Sequence, residues 1–187
     1  MSGHGTNILR NNLLGTIDSW GPLFRVSLNL RIHSIPDSPG PSSVLAFKAN
    51  GGESNAKQYG DRVPIIFCHP NDGLLSFQNS VNGNFHYGYK WKTKTEMDKW
   101  YHIEIKQYLY EGEVRNVRAY EREFSEYCEV HYRIKIDGVE MHRTVNSDAR
   151  VFTNVKVFAS DPFHSPTNAT YKNLVWENLG KTSPTFN

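Results

Sequence analysis

The sequence predicts an all-β fold, an antiparallel β-sandwich, and three observations carry that expectation. Apolar residues recur at period two along most of the chain, tight-turn pairs separate the runs, and no helical segments alternate with them. No repeat of 20–50 residues is present, so a solenoid or propeller is not indicated.

The elements follow in chain order. In Leu23 to Ile35, residues Phe24, Val26, Leu28, Leu30 and Ile32 share one face, while Arg25, Ser27, Asn29 and Arg31 share the other. That alternation defines a half-buried strand. Three prolines between 36 and 41 mark a surface loop, because proline cannot serve a central ladder. Shorter strands are predicted at 43–49, 63–69, 74–81 and 84–92, with a loop at 50–55 between the first two. Asn71-Asp72-Gly73 and Asn82-Gly83 supply the hairpin turns. Tyr101, Ile103 and Ile105 alternate with His102, Glu104 and Lys106 in the next strand. Residues 111–125 are crowded with charge and read as a long connection or an extended hairpin. Cys128, Val130, Tyr132, Ile134 and Ile136 then face inward against Glu129, His131, Arg133 and Lys135. Asp137-Gly138 turns the chain into 139–145, and strands at 154–160 and 171–178 close the domain. Residues 1–180 are therefore expected to form a single sandwich domain, with 181–187 as a flexible C-terminal tail. Phe24, Leu28, Leu30, Ile103, Ile105, Ile134 and Ile136 are the expected inter-sheet core.

Bulk composition narrows the function classes. The chain of 187 residues carries a net charge of +2 with no clustered basic stripe, which argues against nucleic acid. No apolar run reaches the roughly 18 residues of a membrane-spanning helix. The polar start lacks the apolar centre of a signal peptide, so the chain is either intracellular or a mature extracellular chain with a new Met1 and without its leader, the second being the expectation. Asn168-Ala169-Thr170 is a glycosylation sequon and fits a secreted protein. Cys68 and Cys128 both fall on predicted strands, where one bridge and two buried thiols are equally compatible with the pattern. Oligomeric state is left open.

Three segments together resemble the concanavalin A-like superfamily, in particular its laminin G-like and pentraxin-like branches. They are Trp100-Tyr101-His102-Ile103-Glu104-Ile105, then Tyr132-Arg133-Ile134-Lys135-Ile136-Asp137-Gly138, and last the run from Asn154 to Pro162 followed by Tyr171-Lys172-Asn173-Leu174-Val175. The resemblance spans roughly residues 8–179 and implies a jelly roll in which the last strand returns beside the first. Catalytic relatives carry a glutamate pair in an E-x-D-x-x-E string, and no such string occurs here. Glu121, Glu123, Glu126 and Glu129 are the nearest, interleaved with arginine in a way that suits a solvated face. His33, His102 and His131 lie on polar strand faces and could cluster on one sheet, but zinc needs a convergent geometry that spacing does not show. There is no nucleophile elbow and no phosphate-cradling glycine motif.

A binding role is therefore expected: a non-catalytic lectin-like or adhesive module with a glycan or glycoprotein ligand. The alternative is a polysaccharide-active glycoside hydrolase of the same fold. Phe85, Tyr87, Tyr89 and Trp91 share a strand face, which is either ordinary core packing or an aromatic platform for sugar rings. His69, Asn71 and Asp72 add the short polar groups that select among hydroxyls. The expected ligand-binding set is His69, Asn71, Asp72, Tyr89 and Trp91. Calcium is a candidate cofactor, with Asp72 and Asp161 as its carboxylates, although that ion prefers more oxygen donors than these.

Overall fold

A computed structural model describes residues 5–53, 55, 57–111 and 128–179. The 111–125 connection beyond its first residue, Glu121, Glu123, Glu126 and the 181–187 tail lie outside these described residues.

Two six-stranded antiparallel sheets pack face to face. The strands are β1 (Thr6–Asn7), β2 (Leu13–Trp20), β3 (Phe24–Ile32), β4 (Ser42–Lys48), β5 (Ile65–Cys68), β6 (Leu75–Val81), β7 (Asn84–Lys90), β8 (Trp100–Glu111), β9 (Cys128–Ile136), β10 (Val139–Val145), β11 (Phe152–Phe158) and β12 (Ala169–Asn178). One sheet runs β1-β12-β3-β8-β9-β10 and the other β2-β11-β4-β5-β6-β7. The last strand, β12, lies between β1 and β3, which realises the expected return of the chain end beside its start.

The alternation read from the sequence sets the core. Cross-strand partners share a face, so Leu28 opposite Ile103 and Ile105 opposite Ile134 place one apolar row against the facing sheet. All seven expected core residues are buried there, joined from the second sheet by Phe47, Ile66, Phe77 and Val157. Asn82 and Asp137 adopt positive φ (51° and 50°) beside Gly83 and Gly138, the backbone that a tight hairpin requires. Cys68 is a free, buried thiol, so the bridged alternative falls.

Strand β2 has no counterpart in the sequence expectations. It lies at the edge of its sheet, and most of its residues are exposed or half-buried. Its register with β11 supplies the ladder that its side chains do not announce.

The second sheet is covered on both faces at β4, every residue of which is buried. Behind the main core, Ala46, Ile65, Phe67 and Phe158 form a small apolar cluster on the sheet's outer face. That outer face positions the candidate site.

Candidate functional site

Strand pairing builds the outer face in rows. Phe67, Ser76 and Lys90 are paired across β5, β6 and β7, and Ile65, Gln78 and Gly88 form the next row. Successive rows stand about 7 Å apart, since a strand rises roughly 3.4 Å per residue and side chains alternate. Arg62, just before β5, reaches the same surface and caps the Phe67 ring with its guanidinium at 5.3 Å from the centroid. Its Nη1 donates to Gln78 Oε1 and, at 3.0 Å, to His86 Nδ1. Arginine is always a donor, so His86 Nδ1 accepts in this contact.

Phe67 is also met by His164, whose ring lies edge-on to it at 4.8 Å. His164 Nδ1 lies 2.9 and 3.0 Å from the two oxygens of Asp161 and donates to them. Asp161 is 0% exposed and also accepts the Phe163 and His164 backbone N–H groups. Burial alone would raise its pKa, but the hydrogen bond and charge of His164, the Phe163 N–H and the nearby Lys48 hold it below the usual carboxylate value. Lys48 is fully buried, donates to the Asp61 carbonyl at 3.2 Å and lies over the Phe163 ring. Burial lowers the pKa of both Lys48 and Arg62, while Asp161 and Asp61 pull each the other way. The surface is thus a low-dielectric apolar floor ringed by oriented nitrogen donors, in which electrostatic contacts are stronger than in open water.

Part of the expected site lies along this face. His69 Nε2 bonds Ser76 Oγ at 2.9 Å, and burial lowers the pKa of its imidazole. Asn71 is exposed at positive φ (70°) in the turn. Asp72 accepts the Leu74 N–H at 3.0 Å and the Lys90 ammonium at 2.9 Å, both of which hold its carboxyl below the ordinary value. The β5–β6 turn therefore flanks the Phe67 row.

The aromatic residues point the other way. Trp91 is 6% exposed and packs edge-on against Tyr101 at 5.4 Å, so it is a core residue rather than a sugar platform. Tyr89 is half-buried on the inner face, stacked between Phe77 and His142. Alternation explains the correction: if Tyr87 and Tyr89 face inward, His86, Gly88 and Lys90 must face outward. Those outward residues, with Arg62, Gln78 and His164, were missed. The polar half of the same period-two pattern could have found His86, Gln78 and Lys90.

The calcium pair does not fit a cation. Among the described residues no three His, Cys, Asp or Glu side chains converge on one point. Asp161 is sealed against His164 and two backbone donors, and Asp72 is engaged with Lys90.

The fold is an antiparallel β-sandwich of the jelly-roll type, shared with solved structures of low sequence identity. A heptameric SAP-like pentraxin from Limulus polyphemus matches over 92% of this chain and 72% of its own, at 10% identity and a TM-score of 0.54. Alginate lyase Aly36B, solved as a double mutant with an alginate trisaccharide, matches over 94% and 81%, at 16% identity and a TM-score of 0.51. Alginate lyase AlyC3 matches over 91% and 69%, at 13% identity and a TM-score of 0.50. No protein-family model and no curated protein sequence matches the chain.

Proposed function

We propose that this protein is a non-catalytic extracellular carbohydrate-recognition module that holds a glycan against the outer face of β5, β6 and β7. The observation that carries the reading is the grouping of Arg62, Gln78, His86, Ser76 and Lys90 on adjacent strands, over the apolar floor of Ile65 and Phe67. Ile65 and Phe67 are each 1% exposed, so contact with a sugar falls to the polar side chains above them, whose donors and acceptors match sugar hydroxyls. Two solved structures of the same fold hold sugars: Aly36B with an alginate trisaccharide, and AlyC3 with dimannuronate. The exposed Asn168, whose amide donates to Ser34 Oγ at 3.0 Å, is accessible for glycosylation and supports the extracellular assignment. A glycan array run with and without chelator tests the reading. Binding that persists in chelator is expected. Binding to no glycan, with calcium present, would leave a protein-ligand adhesion module as the better account.

One observation favours the second reading, a polysaccharide-active enzyme. A buried aspartate orients His164 through Nδ1, which presents Nε2 as a proton acceptor when the ring is neutral. Glycoside hydrolysis by a carboxylate pair is poorly served, because Asp161 is committed to His164 and backbone donors and Asp61 accepts the Lys57 and Gln58 N–H groups. Incubating any glycan that binds and measuring new chain ends separates the two readings.

A further inference from the structure

Among the described residues, Arg62 is a buried cation with no acid paired to it. It is 8% exposed, and its Nη1 bonds Gln78 and His86, neither of them an acid. Its Nε is buried without any hydrogen-bond partner. Among the described residues Arg62 forms no ion pair, whereas Arg25, Arg133, Arg143 and Arg150 each hold a carboxylate. Asp61 and Asp161 attract it only from further off; Asp61 Oδ2 accepts the Lys57 and Gln58 N–H groups, and both Asp161 oxygens accept from His164. A guanidinium in this state is costly to keep buried, and its planar fork matches an oxyanion better than any neutral group.

Beside it, the outward-facing residues of the edge strand β7 are exposed. Gly88 lies opposite Gln78 on the exposed edge strand, so no side chain rises from β7 at that row. His86 places its Nδ1 beside the guanidinium on the same surface. Lys156 and Lys48 are paired across β11 and β4, adding positive charge on the same sheet.

We propose that Arg62 anchors the acidic group of an anionic glycan, a uronate carboxylate or a sulfate ester, with Gln78 and His86 positioning the guanidinium. This rests on the glycan-binding reading above and narrows its substrate class.

Calorimetric titration of the intact protein with polygalacturonate, dextran sulfate and dextran tests the class and distinguishes carboxylate from sulfate. Binding of one or both acidic polymers, weakened by added salt, with none to dextran, is expected. Arg62→Gln should lower that affinity by about tenfold to a hundredfold, the range for a charge-assisted hydrogen bond. Because Arg62 also packs on Phe67, the wild-type protein supplies an independent readout. The Arg62 Nε–H resonance, assigned with Arg62→Lys, should shift as the acidic polymer is added. An unmoved resonance with acidic polymer bound, or equal affinity for acidic and neutral glycans, overturns the proposal while leaving glycan binding intact. An array on which no glycan binds removes the underlying reading instead.

Discussion

Tyr89 on β7 and His142 on β10 stack with ring centroids 4.9 Å apart and planes 10° from parallel, joining the edge strands of the two sheets. Tyr87 adds a hydrogen bond from its hydroxyl side to His142 Nε2 at 3.0 Å. Burial holds the His142 imidazole below its usual pKa, against a smaller upward pull from Glu140. The fold thus favours the neutral ring. Its contribution is fully present above the unfolded histidine value, about 6.5, and declines as pH falls from there through the depressed folded value. His142→Phe keeps a stacking ring and removes the titration. Wild type should therefore lose more stability than His142→Phe between mildly alkaline and mildly acidic buffer. Urea midpoints that fall in parallel would show that His142 does not titrate as a buried group.

Ile134 tests the core row directly. It is fully buried, opposite Ile105 on β8, and belongs to the main inter-sheet cluster. Ile134→Ala should cost about 2–5 kcal/mol, from lost transfer energy and the cavity left behind. A loss below about 0.5 kcal/mol in denaturant titration would be the signature of a surface position.

That core was legible because each strand buries only one face. Phe24 to Ile32 and Tyr101 to Ile105 spell the alternation without interruption, and a one-residue slip would expose the entire row. Strand β2 was not legible, since Gly15, Asp18 and Ser19 break any apolar period and the edge position demands little burial. The site was half legible. The β5–β6 turn with His69, Asn71 and Asp72 announced itself through turn chemistry, whereas Arg62 reads as the polar start of an apolar run. What gives Arg62 its role is the alignment of β5 with β6 and β7, and registers between strands are not written locally. Asp161 has its partner His164 only three residues on, yet the pairing needs the bend at 161–164 to bring them together.

Trp91 distinguishes packing from recognition. Its backbone N–H donates to the Leu75 carbonyl at 2.8 Å, and its ring is enclosed beside Tyr101. Trp91→Ala should destabilise the domain by about 3–5 kcal/mol, the usual cost of emptying a large aromatic site. Molecules of the variant that remain folded should bind glycan as wild type does. A variant with unchanged melting and lost binding would restore Trp91 to the ligand surface.

Gly88 offers a way to block the outer face without touching the core. Its residue is exposed on the edge strand, and its φ lies outside the left-handed region, so a side chain there carries no backbone strain. A Cβ at this position would lie 3.2 Å from Gln78 Cγ, close enough that the flexible Gln78 side chain must give by a few tenths of an ångström. A larger branched side chain would extend over the Gln78 row while favouring the strand conformation, since β-branched residues suit pleated, half-covered surfaces. Gly88→Val should therefore leave the melting temperature close to wild type and weaken glycan binding by roughly tenfold or more, equivalent to about 1.4 kcal/mol. Thermal melts and calorimetric titrations on the same sample separate the two effects. Full-strength binding by a stably folded Gly88→Val protein would mean that ligands approach some other surface than β5, β6 and β7.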